Sequence, residues 1–325
     1  MTDNNILFIV GMPRSGTKLF RDLLNQHPEI SIPEVETHFL PMFIKRYGLN
    51  FNFNSVNKDK LLKSFLNTTF YWNVKKNGLF TDEDFFLKYE DVKSWADFNY
   101  LIFSHFSSKT VNTKMIFGDK TPGYLNHIDL INKLHSNAKF IHIIRDPRDY
   151  CLSVKNIWNK SIYRACQNWQ RSIGRSEKYN TELPNNYMEI KYEDLIQNTE
   201  ETQKKICFFL KIPYRLEMTR LKKSAENYGA AKGTTKVLSN NSNKYFKKLS
   251  RKELKKIEEL CFDQLTRLNY NLHYGTKLIR LNYFQDFYLK LYDFVNSLVF
   301  HTKEKGIITG IKYFISLHFQ SSWRK

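Results

Sequence analysis

The fold of this chain is decided by Ile6-Leu7-Phe8-Ile9-Val10-Gly11-Met12-Pro13-Arg14-Ser15-Gly16-Thr17-Lys18. The five apolar residues predict a buried strand, and the loop bounded by Gly11 and Gly16 predicts a tight turn into a helix that starts near Gly16. Such a loop directs successive backbone N–H groups at one point, and the helix N-terminus adds partial positive charge there. The stretch therefore predicts an anion site at the end of a strand.

The residues after Gly16 distinguish this loop from the phosphate loop of nucleoside triphosphatases. That loop has the spacing Gly-x-x-x-x-Gly, then a Lys that reaches the phosphates, then a Ser or Thr that binds Mg²⁺. Here Thr17 stands in place of the lysine, and Lys18 replaces the metal-binding hydroxyl. We therefore expect a phosphate site that differs from a standard Mg–nucleoside triphosphate site.

The composition is that of a basic globular protein. Lys and Arg number 51 against 32 Asp and Glu, a net charge of +19 in 325 residues. This length suits one large α/β domain or two smaller ones. Such a charge attracts a nucleotide, an acidic glycan, nucleic acid or an anionic membrane, and charge alone does not choose among them.

The cysteines and the N-terminus predict a reducing compartment. Cys151, Cys166, Cys207 and Cys261 form no C-x-x-C pair and have no His at metal-ligand spacing, so we expect buried reduced thiols and no metal. Only five apolar residues precede the first loop, too few for a signal peptide, and no later stretch is long enough to span a bilayer. The sequence thus predicts a cytoplasmic protein, with peripheral contact at the inner membrane face left open.

Apolar runs alternate with helical patterns along most of the chain. This alternation predicts a three-layer α/β/α fold of the phosphate-loop type with a central, mainly parallel sheet. Predicted strands are 6–10, 114–117, 140–144 and 187–192, with a loop over 118–122 and helices over 125–134 and 250–268. Residues 39–113, rich in Phe, Tyr, Trp, Asn and Lys, are interpreted as a helical insertion that selects the substrate. The main domain is predicted to span 1–270.

The tail, residues 271–325, has a different pattern. Apolar side chains recur at helical spacing in two stretches, 284–298 and 307–315, and basic residues flank both, down to Trp323-Arg324-Lys325. A basic amphipathic helix of this kind lies on an anionic membrane. A helical hairpin packed on the core or at a dimer contact explains the pattern equally well.

A second strand-to-helix junction contains Arg145-Asp146-Pro147-Arg148, with Ser153 two turns into the helix. Ligands of open α/β sheets bind at the carboxyl ends of strands, where both junctions lie. The first junction holds an anion by its backbone, and the second offers a guanidinium fork and a hydroxyl to another anion. An ordinary ion pair of Arg145 with Asp149 or Asp194 is the alternative.

Together these motifs resemble the sulfotransferase family that uses 3′-phosphoadenosine 5′-phosphosulfate (PAPS). In that family a Pro-Arg-Ser-Gly-Thr loop holds the 5′-phosphosulfate, and an Arg with a Ser eight residues later holds the 3′-phosphate. Further similar stretches are 119–122, 191–195 and 239–249, so the resemblance covers most of residues 5–270. It is nearest to the Golgi and bacterial types, including tyrosylprotein and carbohydrate sulfotransferases, and includes neither the insertion nor the tail.

The resemblance implies a role for each matching residue. The 5′-phosphosulfate is expected to contact Arg14, Ser15, Gly16, Thr17 and Lys18, and the 3′-phosphate to contact Arg145 and Ser153. Tyr192 would touch the nucleotide, and Lys247 or Lys248 would reach the 3′-phosphate. Lys120 would neutralise the leaving oxygen. The general base is expected to be Glu36, with His38 as the alternative and Glu34 third; a helix cap or a surface charge is the competing explanation for each.

The predicted activity is metal-independent transfer of a sulfuryl group from PAPS to a hydroxyl. A carbohydrate or glycolipid acceptor is preferred and a protein tyrosine is the alternative. Two other classes stay open: a phosphate-loop kinase or nucleotide hydrolase, and a basic protein that binds nucleic acid or membrane. No recognition motif for nucleic acid is found, so no nucleic-acid partner is expected. A homodimer is left open.

Overall fold

A five-stranded parallel sheet forms the centre of the protein. The computed structural model describes residues 6–76, 82–107, 109, 112–224 and 232–319. The strand order is β2-β3-β1-β4-β5 and all four pairings are parallel. The strands are β1 Ile6–Gly11, β2 Ile30–Ser31, β3 Ile116–Lys120, β4 Lys139–Ile144 and β5 Tyr187–Lys191.

Helices cover both faces of the sheet. They are α1 Thr17–Leu24, α2 Leu40–Tyr47, α3 Ser55–Leu66, α4 Thr69–Lys76, α5 Asp82–Tyr89, α6 Trp95–His105, α7 Ile128–Leu134, α8 Pro147–Trp158, α9 Ile162–Ser176, α10 Tyr179–Glu182, α11 Tyr192–Gln197, α12 Thr199–Leu210, α13 Tyr245–Lys248, α14 Arg251–Leu260, α15 Phe262–Arg267, α16 Tyr283–Lys305 and α17 Ile307–Phe319. Two 3₁₀ turns, Pro122–His127 and Leu216–Thr219, complete the elements.

The alternation of side chains along β1 explains the three layers. Ile6, Phe8 and Val10 point to a core shared with the insertion, whereas Leu7 and Ile9 point to a core shared with α1, α11 and α12. All six residues of β1 are buried, as expected for the middle strand of a parallel sheet covered on both faces. The predicted α/β/α fold class is confirmed.

Strand β3 lies further along the chain than the sequence predicted. Residues 118–120 continue the strand and pair with β1, with Lys120 opposite Ile9, so the predicted strand 114–117 and loop 118–122 were wrong in position. The polar pair Asp119-Lys120 concealed the strand, although both side chains are buried. The two-residue strand β2 was missed because it is too short to show a period. Helix α7 begins at Ile128, after a 3₁₀ turn, and not at 125.

The insertion is helical, as predicted, and is stabilised by aromatic packing. It contains five helices, α2 to α6. The ring of Phe65 on α3 lies at its centre and contacts Phe39, Phe85 and Phe98 at centroid distances of 5.5–5.6 Å. Edge-to-face and stacked pairs of this kind add to the free energy of burial. Because aromatic side chains surround these short helices, their sequences show little helical periodicity.

Three of the four cysteines form a buried cluster near β4. Cys151 on α8 and Cys166 on α9 bring their Sγ atoms to 2.8 Å, and Cys261 donates to the backbone oxygen of Cys166. Cys207 is also buried. All four thiols are free and buried, as the sequence predicted.

A buried carboxyl joins the ends of β4 and β5. Glu193 Oε1 accepts from the backbone N of Asp146 (3.0 Å), and Glu193 Oε2 accepts from the hydroxyl of Tyr270 (2.9 Å). Burial, and then the nearby charge of Asp146, raise the pKa of Glu193 to about 7. Ionisation of this carboxyl therefore costs free energy in the folded protein.

We predict that Glu193→Gln changes how stability depends on pH. A pKa raised by folding lowers the free energy of unfolding as pH rises from the unfolded value, 4.5, to the folded value, about 7. Glutamine does not ionise, so its free energy of unfolding has no such dependence on pH. Relative to the parent, the variant should therefore gain about 1–3 kcal/mol in the free energy of unfolding between about pH 5 and about pH 8. Urea unfolding at several pH values measures the difference; a difference independent of pH contradicts the assignment.

Candidate functional site

The loop after β1 adopts the conformation that an anion site needs. Arg14 and Gly16 have positive φ angles of 75° and 88°, and Ser15 N donates to Met12 O (3.1 Å). Helix α1 begins at Thr17 and has no acidic residue in its first turn. The N–H groups of this turn therefore form a partially positive helix end that no acidic residue of the same turn offsets. Ser15 and Thr17 are buried, and Ser15 Oγ has no hydrogen-bond partner within the described residues.

Tyr192 closes one side of this loop. A methyl group added at Gly16 would overlap the Tyr192 ring, so only glycine satisfies both the positive φ and the contact. The Tyr192 hydroxyl accepts from Asn241 Nδ2 (2.7 Å), and the ring is buried. The structure therefore brings Tyr192 to the predicted phosphate loop.

Arg145 lies at the end of β4, on the other side of Tyr192. Its guanidinium carbon sits 4.5 Å from the centre of the Tyr192 ring. Nη1 donates to the backbone oxygen of Arg14 (3.2 Å), and Nη2 donates to that of Asn241 (3.1 Å). Nε is buried and, across the described chain, has no hydrogen-bond partner. Carbonyl oxygens hold the guanidinium in place without neutralising it.

The ordinary ion pair considered for Arg145 does not form. Across the described residues, neither Asp149 nor Asp194 makes a salt bridge with it, and Asp149 instead accepts from the backbone N of Tyr245 (3.1 Å). Ser153 completes this junction, since its Oγ accepts from Arg14 Nε at 3.4 Å. The two predicted anion-binding motifs thus meet through Arg14.

On the opposite side of the loop, Lys120 ends β3 and is ion-paired with Glu36. Lys120 Nζ donates to Glu36 Oε1, and His38 Nε2 lies 2.8 Å from Glu36 Oε2. Lys120 is buried, whereas the His38 side chain is 65% exposed. Lys120, Glu36 and His38, the three predicted catalytic residues, therefore form one contiguous group.

The electrostatics keep Glu36 ionised. Burial opposes this by raising the pKa, but the hydrogen bond from His38 and the charge and hydrogen bond of Lys120 outweigh it and lower the pKa to about 2. Glu34, the third candidate base, points elsewhere: it pairs with Lys223 and its side chain is 57% exposed. The structure thus separates Glu36 from Glu34.

Hydrogen bonds that the sequence did not predict fix the segment carrying Glu36. Thr37 donates through its backbone N to Thr121 Oγ1 (3.1 Å), and its hydroxyl pairs with the Tyr124 hydroxyl (2.7 Å). The Tyr124 hydroxyl also accepts from Leu40 N (3.3 Å). Asp119 is fully buried beside this network, and burial raises its pKa to about 6. Position along the chain gave no signal for these contacts, because they join residues far apart.

The segment 239–249 reaches the site through residues other than those predicted. Asn241 contacts both Arg145 and Tyr192, and Lys244 donates to Asn241 Oδ1. Burial, and then the charge of Arg145, lowers the pKa of Lys244. Lys247 and Lys248, the residues named from the loose resemblance, have exposed side chains. Within the described parts of the chain, no three His, Cys, Asp or Glu side chains converge as they would around a metal ion.

The comparison with known families identifies the family of the chain. The model of the sulfotransferase family matches residues 7–215, which include the phosphate loop, Lys120, Arg145 and Tyr192. The chain belongs to the sulfotransferase family. The family predicted from the sequence is therefore confirmed.

The relatives of this sulfotransferase include animal enzymes. It is 25% identical to protein-tyrosine sulfotransferase 1 of Danio rerio over 228 residues, 65% of this chain and 54% of the relative. It is 26% identical to protein-tyrosine sulfotransferase of Drosophila melanogaster over 217 residues, 64% of this chain and 38% of the relative. The chain thus spans about half or less of the length of these curated relatives.

These relatives overturn the predicted cytoplasmic location. They are protein-tyrosine sulfotransferases, the Golgi type in the resemblance described above, and not a cytoplasmic type. The prediction rested on unpaired cysteines, on the few residues before β1 and on the lack of a membrane-spanning stretch, and none of these features defines a compartment. No helix in the described ranges combines the length and the apolar composition that crossing a bilayer requires.

Solved structures support the fold. The sulfotransferase domain from the curacin biosynthetic pathway superposes with a TM-score of 0.57 at 20% identity, covering 83% of this chain and 99% of the domain. The sulfotransferase domain of the Synechococcus PCC 7002 olefin synthase gives 0.55 at 20% identity, covering 83% and 96%. At this identity the likeness concerns the fold alone.

We predict that Gly16→Ala destabilises the protein in two ways. Gly16 has a left-handed backbone conformation (φ 88°, ψ 14°), which should cost an alanine about 1–2 kcal/mol. The added methyl group would also overlap the Tyr192 ring, which should cost about 1–3 kcal/mol more.

Thermal unfolding of Gly16→Ala, Tyr192→Ala and the double variant separates the two costs. In the Tyr192→Ala background, Gly16→Ala should show only the backbone cost, because the ring is then absent. Equal destabilisation by Gly16→Ala with and without the ring would show that Tyr192 does not constrain the loop.

Proposed function

We propose that this chain transfers a sulfuryl group from PAPS to a hydroxyl acceptor. The observation that carries the proposal is the order of three strands. The phosphate loop follows β1, Lys120 ends β3 on one side, and Arg145 follows β4 on the other. Since neighbouring strands lie about 4.8 Å apart, the ends of β3 and β4 stand roughly 10 Å apart on the two sides of the loop.

Unpartnered polar atoms support binding of the donor. Ser15 Oγ and Arg145 Nε are buried, and in the described residues neither has a hydrogen-bond partner. A buried polar atom without a hydrogen-bond partner destabilises the folded protein unless a ligand supplies that partner. In the proposal the loop N–H groups, Thr17 and Lys18 hold the 5′-phosphosulfate. Arg145 and Ser153 hold the 3′-phosphate.

The chemistry assigned to the site uses Lys120 and Glu36 as a pair. The acceptor oxygen forms a bond to sulfur as the bond from sulfur to the bridging oxygen breaks, and adenosine 3′,5′-bisphosphate leaves. Glu36 takes the acceptor proton, and Lys120 neutralises the leaving oxygen. When Lys120 turns to the donor, Glu36 loses part of the interaction that lowers its pKa and becomes a stronger base.

The transferred group requires less charge stabilisation than a phosphoryl group. Sulfuryl is formally neutral, so the positive groups of the protein can replace a metal in stabilising the transition state. Thr17 and Lys18 occupy the positions where a Mg–nucleotide site has its lysine and its hydroxyl. Transfer that continues after chelator treatment supports the proposal over a kinase or a hydrolase, and Mg-dependent ATP turnover contradicts it.

The acceptor is proposed to be a tyrosyl hydroxyl. The names of the relatives favour it over the carbohydrate or glycolipid hydroxyl preferred from the sequence. Labelled sulfate transfer from PAPS to tyrosine peptides, glycans and lipids distinguishes the three classes. Transfer to a glycan or a lipid with none to the peptides would overturn this choice and leave the proposed reaction intact.

Arg145→Ala should remove the preference for a 3′-phosphate. The affinity ratio between adenosine 3′,5′-bisphosphate and adenosine 5′-monophosphate is expected to fall about tenfold to a few hundredfold, since a charged hydrogen bond contributes about 1.5–3 kcal/mol. Lys133→Ala, an equal charge change at an exposed position on α7, is the control. Calorimetry measures both ligands, and an unchanged ratio would reject the role of Arg145.

Glu36→Gln should retain bisphosphate affinity and lower turnover about 10²–10⁴-fold, the range for loss of a general base. Glu34→Gln is the matched control, because Glu34 pairs with Lys223 away from Lys120. Turnover and binding are measured on both variants. Near-normal turnover of Glu36→Gln together with a loss in His38→Ala would transfer the role to His38.

A further inference from the structure

Helix α16 has its polar side turned towards the protein. Asp293 and Ser297 are its buried residues. The Asp293 carboxylate accepts from the backbone N of Ser161 (2.7 Å) and from Arg164 Nη1 (3.1 Å). Asn296 accepts from Asn159 Nδ2 at 2.8 Å. This helix is therefore anchored by hydrogen bonds and an ion pair, the reverse of an ordinary surface helix.

The outward side of α16 is apolar. Exposed side chains at three- and four-residue spacing form one face, and each is at least 51% exposed: Tyr283, Phe284, Phe287, Tyr288, Leu291 and Val295. Isolated exposed apolar residues are common, but a contiguous aromatic face marks an interaction site.

Helix α17 extends this surface. It packs on α16 through Phe314, whose ring lies 4.8 Å from that of Phe294, and through Gly310, where a side chain would clash with the backbone of His301. Its outward residues, Ile307, Ile308, Ile311 and Ile315, are 39–73% exposed. The two helices together form what we call the hairpin, residues 283–319.

Lysines rim the apolar face of the hairpin. Lys290, Lys303, Lys305 and Lys312 are exposed, against one exposed acid, Glu304, in the described side chains of the two helices. At 3.6 residues per turn, Lys290 and Lys303 fall at opposite edges of the face. Side chains of this kind reach lipid headgroups while aromatic rings enter the interface. In a pair of copies joined face to face, the same lysines would repel each other.

We propose that the hairpin docks on an anionic phospholipid bilayer. The inference goes beyond the proposed function and does not rest on it. Aromatic and isoleucine side chains supply apolar burial in the interface, and the lysines supply attraction to anionic headgroups.

Vesicle sedimentation of the full chain tests the proposal. Vesicles of equal parts phosphatidylcholine and phosphatidylglycerol should bind it, and pure phosphatidylcholine should bind it at least about tenfold more weakly, with loss of binding at high salt. A variant with Tyr288→Asp, Leu291→Asp and Val295→Asp should bind the anionic vesicles at least about tenfold more weakly. Phe208→Asp, at an 88% exposed position outside the hairpin, is the matched control and should bind normally.

Two further measurements keep the outcome interpretable. Calorimetric affinity for adenosine 3′,5′-bisphosphate should be equal in the parent and in both variants, which separates failure of docking from failure of the proposed function. Equal vesicle binding by the parent and the triple variant overturns the proposal. A dimer in sedimentation velocity that only the triple variant abolishes also overturns it, because a second copy would then cover the face.

Discussion

The site depends on the central position of β1. Because β1 lies between β3 and β4, its loop is flanked by the ends of both neighbours, and a parallel sheet sends all three ends to one edge. Lys120, the phosphate loop and Arg145 therefore meet although the chain separates them widely. The apolar residues of β1 fix this arrangement, since every one of them is buried in a core on one face or the other. Fold and site thus share the same few residues.

The positively charged groups of the site are fixed mainly by contacts that do not neutralise their charge. Arg145 is fixed by backbone oxygens and by the Tyr192 ring, and the first turn of α1, which begins at Thr17, contains no acidic residue. Lys120 is the exception, because it is paired with Glu36. That pair couples the two sides of the proposed reaction: an anion that draws Lys120 away also changes the basicity of Glu36. Binding of the donor and activation of the acceptor would then be linked through one side chain.

Local motifs could be predicted from the sequence, and contacts between distant segments could not. The loop 11–17 and Arg145 with Ser153 could be singled out because each follows an apolar run at a recognisable spacing, and Lys120 was named through the family resemblance. Asn241, Lys244 and the Thr37–Tyr124 hydrogen bond were missed, since only the folded chain brings them to the site. The helical nature of the insertion followed from its composition. The arrangement of its helices could not be predicted, because aromatic side chains on all sides of these helices leave no apolar periodicity in the sequence.

The contact between Gly16 and Tyr192 has a consequence for how sequences of this fold can diverge. The ring fills the space that a side chain at position 16 would need, so position 16 cannot gain a side chain while the ring is present. A larger residue at 16 would be accommodated only after a smaller one had appeared at 192. Drift at these two distant positions is therefore expected to be paired, and glycine at 16 persists for as long as an aromatic ring occupies 192.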